Sequence, residues 1–275
     1  MSAHEHRGRR RDSAQTFIRL AEQMRAEGYP VDEVARAAAA HELAIALFSG
    51  LYRPSGDPLL SHLVGTASVL AAARVDGEVV AAALVHAAYA NGDFGTLGEG
   101  VTPAKRARLR AAVGTRTEVC VHDFVTIRWT PDTIAGLAAT VADLDARARD
   151  VVALRLANTL DDALDAGYLC GEGKAQALTF RTAVADLAAL ARGLALDLLA
   201  RDLEESLEHP VVPGPTPRRS GVFLQPPPSY RRRWPVEAYR YAVAVAERLR
   251  AALGLRRRLH RLGRILGGRA GKSTV

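Results

Sequence analysis

Two histidines carry the side chains best suited to chemistry near neutral pH. His86 closes the apolar run Ala81 to His86 (AAALVH), and His62 lies near the start of the segment LLSHLVGTASVLA. A neutral imidazole in a pocket can bind a ligand or act as a general base without a metal. Arg53, in the turn Arg53-Pro54-Ser55-Gly56-Asp57-Pro58, has the forked guanidinium that holds a phosphate or stacks on a base. Tyr89 and Asp93 follow His86 within AAYANGDFG and are placed to join the same ligand-binding group. The residue after His86 is Ala87 rather than an acid, and one histidine cannot assemble a divalent-ion site. A plainer alternative stands beside each reading. His86 shares a helical face with Val79, Ala82, Ala83 and Ala90 and could be a core histidine held by one hydrogen bond. Arg53 could be an exposed arginine beside a proline turn, and His62 could bond that turn.

Helical periodicity recurs along the chain and alternating strand patterns are scarce, which predicts an all-α fold. Ser13 can cap a first helix reaching Glu27, and Val31 to Ser49 form a second, closed by Gly50. Leu59 to Ala73 and Glu78 to Ala90 are two helices whose short joining loop favours antiparallel packing. Residues 91–100 then form a loop of the kind that borders pockets. Further helices are predicted over Pro103 to Phe124, Pro131 to Arg149 and Asp150 to Ala166, with the last core helices over Gln176 to Leu207. Domain boundaries follow: a helical domain over 1–208, a linker over 209–235 containing eight prolines, and a basic helix and tail over 236–275.

The chain has 275 residues, 48% hydrophobic, enough for one substantial core. Its net charge of +7 is uneven, because residues from Val211 onward hold fifteen Lys or Arg against two Glu, leaving residues 1–210 mildly acidic. That asymmetry points to a separate partner for the tail, with a solvated tail as the plain alternative. Leu249, Leu253, Leu259, Leu262 and Leu266 against arginines give an amphipathic helix suited to an anionic membrane surface or a protein partner. Nucleic acid fits less well, since base-stacking aromatics are nearly absent after Tyr241. Cys120 and Cys170 form no CxxC pair, and the charged opening MSAHEHRGRRRDSAQ carries no apolar run. A cytoplasmic protein, peripheral to a membrane if the tail binds one, is expected.

The order of these motifs resembles the HD-domain hydrolases, in particular the RelA/SpoT type that degrades hyperphosphorylated guanine nucleotides. The shared features are the R-x-S-G-x-P turn, the histidine in the next helix, AAALVH in the place of the family's AALLHD, and Leu154 to Leu160 (LRLANTL) in the place of LKLADRLHNM. The resemblance spans roughly Ala38 to Asp165 and implies an HD-like multi-helix bundle. It also implies where ligands are missing: Phe48 stands for the family's histidine before the turn, Ala87 for the aspartate of the His-Asp pair, and Asn158 for the late carboxylate. An alignment to broader HD domains would retain His62 as well as His86, but neither register supplies a carboxylate. Asp161 and Asp162 flank Asn158, and adjacent helical residues project differently, so only one of them is expected to face a pocket with Asn158. A still nearer resemblance is to an uncharacterised bacterial HD-like branch reading RPSGKPFLAHLVGTAS and LHAAYAxGDFG, in which Ala87 is normal.

Without carboxylates to offset a cation, the metal-bound hydroxide of standard HD hydrolysis is not generated. The expectation is therefore a degenerate HD-like module, needing no cofactor, whose pocket around His62 and His86 binds a small anionic or phosphorylated ligand through Arg53, Tyr89, Asp93 and Asn158. Two alternatives remain open. One is a divergent phosphohydrolase using Mn, Fe or Zn, or acid-base catalysis by His86 and His62; the other is a helical scaffold. His122-Asp123 is a literal His-Asp pair, but it lacks the apolar prefix and counts as coincidence. Gly171 to Lys174 lacks the spacing of a phosphate loop.

Overall fold

The computed structural model describes residues 13–53, 55–95, 100–164, 180 and 182–208, and the backbone of 223–224. The architecture is all-α. In chain order the helices are α1 (Phe17–Ala26), α2 (Val31–Phe48), α3 (Leu59–Ala72), α4 (Gly77–Val85), α5 (Ala88–Asn91), α6 (Pro103–Val113), α7 (Thr115–Thr126), α8 (Pro131–Ala139), α9 (Ala146–Leu164), α10 (Val184–Gly193) and α11 (Asp197–Glu208). A two-residue strand β1 (Leu51–Tyr52) pairs antiparallel with β2 (Phe223–Leu224), Leu51 opposite Leu224 and Tyr52 opposite Phe223. That pairing draws part of the stretch expected as a linker into the main compact unit, which runs to Gln225. The basic helix expected over Val236 to Leu266 and the rest of the linker lie outside the described residues, as does Cys170.

Several helix boundaries differ from expectation, each for a local reason. The first helix starts at Phe17 behind Thr16, and Ser13 does not cap it. The helix expected to continue through His86 stops at Val85, with His86 at its C-terminal boundary, and resumes as α5. There the imidazole bonds back to the carbonyl of Ala83, a local interaction that competes with further helical turns. The helix expected over Pro103 to Phe124 breaks at Gly114, whose φ of 89° lies in the left-handed region open to glycine. Thr102 and Thr130 cap α6 and α8 by accepting from the backbone N–H groups of Lys105 and Thr133, with Pro103 and Pro131 in first-turn positions. The boundary expected at Arg149 falls earlier, because α8 ends at Ala139, a 3-10 turn follows over Val141–Asp143, and α9 runs unbroken from Ala146.

The core has two parts, and α9 joins them. Leu154 and Ala157 pack into the part built by α1 to α4 and α7, while Val152, Leu156, Leu160 and Ala163 pack into the part built with Ile134, α10 and α11. A helix buried on two faces places its remaining residues between neighbours rather than in water. Asp161 lies one turn beyond Ala157 on the face toward α3, and it is 5% exposed. Gly65 makes that approach possible, because a Cβ there would fall 2.1 Å from the Asp161 Oδ1 atom. Among the described residues, no helix is long and apolar enough to cross a membrane.

Candidate functional site

His62 projects from the second turn's start of α3 and meets α9, where its Nδ1 donates to Asp161 Oδ2 at 2.7 Å. A carboxylate only accepts, so this contact fixes the neutral ring as the Nδ1–H tautomer and leaves Nε2 as the basic nitrogen. Behind this pair Arg53 donates to Asp162 Oδ1, and Asn158 Nδ2 donates to the other oxygen of Asp162 at 3.0 Å. Asp162 Oδ1 also lies 4.0 Å from His62 Nδ1. Both aspartates therefore reach the site, against the expectation that only one would. Asp161 also supplies the carboxylate that neither sequence register provided. The site spans the seam between α3 and α9, so residues on two sides of α9 converge on it.

His86 stands at the back. Its ring meets that of His62 edge-on, with centroids 5.2 Å apart, and tilts against Phe124 at 4.8 Å. Its Nδ1 donates to the Ala83 carbonyl at 2.8 Å. It is 3% exposed, so it supports the His62 ring from the protein interior. His62 instead borders a narrow cleft with Ser13, Gln15, Asp57, Ser61, Asp161 and Leu164. Burial, followed by the nearby Arg53 guanidinium, lowers the His62 pKa to about 3; Asp162 and Asn158 oppose that shift. Burial and then the neighbouring His62 lower His86 to about 3 as well. Both rings are neutral at pH 7.

Arg155 was not among the residues singled out from the sequence. It lies on α9 with Asn158 and Asp162, donates to the carbonyls of Phe124 and Ile127, and stacks on the Phe124 ring at 3.8 Å. Its Nε has no hydrogen-bond partner, and burial lowers its pKa to about 10. Around the cleft stand two guanidinium groups, Arg53 and Arg155, and three aspartates, Asp57, Asp161 and Asp162. The Arg155 signal in the sequence was its helical spacing of three and seven residues from Asn158 and Asp162.

Tyr89 and Asp93 fall elsewhere. The Tyr89 hydroxyl donates to Glu118 Oε1 at 2.7 Å, in a separate cluster where Arg106 and Arg110 also hold Glu118. Asp93 Oδ1 accepts from the Gly95 backbone N–H at 2.9 Å, shaping its own loop. His122 pairs with Asp123, which Arg147 also holds, and neither joins the His62 site.

The Nδ1 atoms of both histidines donate to Asp161 and to the Ala83 carbonyl, which leaves the Nε2 atoms as their lone-pair donors, and Asp162 is held by Arg53 and Asn158. Among the described residues, no group of three or more His, Cys, Asp or Glu is arranged to hold a metal. What the site offers is a hydrogen-bonding surface at a cleft lined by His62, Ser61, Asp57 and Asp161, with Arg53 behind it on Asp162. At a pKa of about 3, His62 is a weak proton acceptor at neutral pH.

Residues 49–128 match the family model described as a domain of unknown function, DUF6817. The match includes Arg53, His62 and His86, whereas Arg155, Asn158, Asp161 and Asp162 lie beyond it. No curated protein matches the chain.

Proposed function

We propose that this chain is a degenerate HD-like module that binds a small anionic or phosphorylated ligand without a metal, at the cleft lined by His62 and Asp161. The observation that carries this reading is the oriented His62–Asp161 pair, backed by Arg53, beside a cleft of about 10 Å³ between α3 and α9, which must widen to admit more than a water. The order of the turn, His62, AAALVH and LRLANTL, set in an all-α body, supports the HD-like architecture.

The charges define how an anion enters. Arg53 and Arg155 stand against Asp57, Asp161 and Asp162, with both histidines neutral, so an added anion needs a compensating proton or an opening of the Arg53–Asp162 pair. An anion near an imidazole favours its protonated form. His62 then takes up a proton on binding, and affinity rises as pH falls. Sulfate, which does not titrate between pH 5.5 and 8, isolates this effect from the protonation of phosphate itself.

A thermal-shift panel of inorganic phosphate, sulfate, nucleoside monophosphates and sugar phosphates tests the reading. The expected result is stabilisation of the wild type by at least one of these anions, stronger at pH 5.5 than at pH 8 for sulfate, and lost in Arg53→Ala and His62→Asn. No stabilisation by any member would contradict it. Stoichiometric Mn, Fe or Zn in the purified protein that disappears in His86→Ala would favour the metal-dependent hydrolase instead.

A further inference from the structure

A second cavity, of about 160 Å³, adjoins the His62 cleft and shares Ser13 and Leu164 with it. The two openings lie along the same helix seam. Ser61 and His62 of α3 face Asp161 at the polar end, whereas Val69 and Ala72 of α3 face Leu160 and Leu164 of α9 at the other. Leu198 and Leu199 of α11 complete the apolar wall.

Polar groups in this wall are largely engaged with one another. Ser68 Oγ accepts from the Ala14 backbone N–H at 2.9 Å and donates to Gln23 Oε1 at 2.6 Å, and Gln23 Nε2 donates to the Ser68 carbonyl at 3.0 Å. Ser13 and the Asp202 carboxylate also line the cavity, and the rest of its wall is leucine, valine and alanine. The space is partly open to solvent, and covering its leucine, valine and alanine wall with an apolar group removes that surface from water, which is favourable.

We propose that this cavity receives the apolar portion of the ligand whose polar end lies at His62 and Asp161, making the ligand an amphipathic small molecule with a short alkyl or single-ring body. The inference rests on the proposed function for the polar end alone; the apolar compartment is argued independently from its walls. Its size sets the body: an apolar cavity of about 150 Å³ accommodates a benzene-sized ligand, so roughly six carbons fit. Each buried methylene strengthens binding about fourfold until the space is full.

The experiment is a calorimetric titration of the full chain with inorganic phosphate, with n-alkyl phosphates of increasing length from ethyl to octyl, and with the matching n-alkyl alcohols. The expected result is affinity that rises with chain length for the phosphates and levels off near hexyl. Ala72→Leu, which fills the cavity, should remove the length dependence while inorganic phosphate still binds. Leu198→Ser, at the partly exposed rim, should weaken hexyl phosphate and leave inorganic phosphate unchanged, and it serves as the test if Ala72→Leu folds poorly.

The failures are distinguishable. Phosphate binding with no dependence on chain length would overturn the apolar compartment and leave the anion site standing. A length dependence in the alcohols that Ala72→Leu abolishes, with no gain from the phosphate group, would support the compartment and overturn the anion site. A length dependence unaffected by either variant would place the alkyl group elsewhere and overturn the inference.

Discussion

His62 and His86 have adjacent rings and similar pKa values, yet their surroundings divide their roles. Only His62 borders the cleft, while His86 is held in the interior by Ala83 and Phe124. Their shared shift has a definite sign. An unfolded histidine titrates near 6.5, while both folded rings titrate near 3, so between these values the unfolded chain binds protons that the folded chain does not. Stability is fully present above pH 6.5 and falls as pH drops toward 3, by up to about 1.4 kcal/mol per pH unit for each histidine. His86→Gln should make that acid slope shallower, as measured by urea unfolding at pH 4, 5, 6 and 7; an unchanged slope would mean that the ring is not a neutral buried imidazole. The sequence made His62, Arg53 and Asn158 legible through the order of its motifs. It did not reveal that both aspartates would reach the site, because the rule that neighbours diverge presumes a target on one face of the helix, and this target lies across the α3–α9 seam. Tyr89 looked like a site residue from proximity to His86, but the helix break at His86 precedes it and its hydroxyl meets Glu118.

At the scale of elements, the close approach of α3 and α9 depends on Gly65. Gly65→Ala places a methyl against the Asp161 carboxylate, and overpacking of this kind costs about 1–3 kcal/mol despite alanine's better helix propensity. Chemical denaturation should show that loss, and Asp161→Ala in the Gly65→Ala background should recover part of it. The α6–α7 corner is fixed differently, by the fully buried Glu118 side chain. Burial raises its pKa, but hydrogen bonds from Arg106, Tyr89 and Arg110 outweigh that and hold it at about 2, below the usual value of 4.5. Its stabilisation is present above pH 4.5 and lost as pH falls through 2. Glu118→Gln should lower stability at pH 7 by about 2 kcal/mol and reduce the steepness of acid unfolding, measured by far-UV circular dichroism. Helix existence was legible from periodicity throughout this region. The breaks at Gly114 and His86 were not, since the first depends on a left-handed backbone and the second on a side chain returning to its own helix.

At the scale of the molecule, the Pro-rich composition of residues 209–235 indicated an extended segment but could not show that Phe223 and Leu224 find a partner strand in β1, because such pairing joins residues far apart in sequence. A chain ending at Gln225 should melt at the same temperature as the full chain. One ending at Glu208 should melt lower, having lost β2, the partner of the strand β1 that leads into the turn carrying Arg53; equal melting of both would make the pairing dispensable. The most direct test of metal-free anion binding by the whole protein is calorimetric titration with sulfate in excess chelator, repeated at pH 6 in buffers of different ionisation enthalpy. Saturable binding, with a heat that reports proton uptake and is abolished in His62→Asn, is the predicted result. Absence of binding in chelator, restored by adding Mn, would contradict the account.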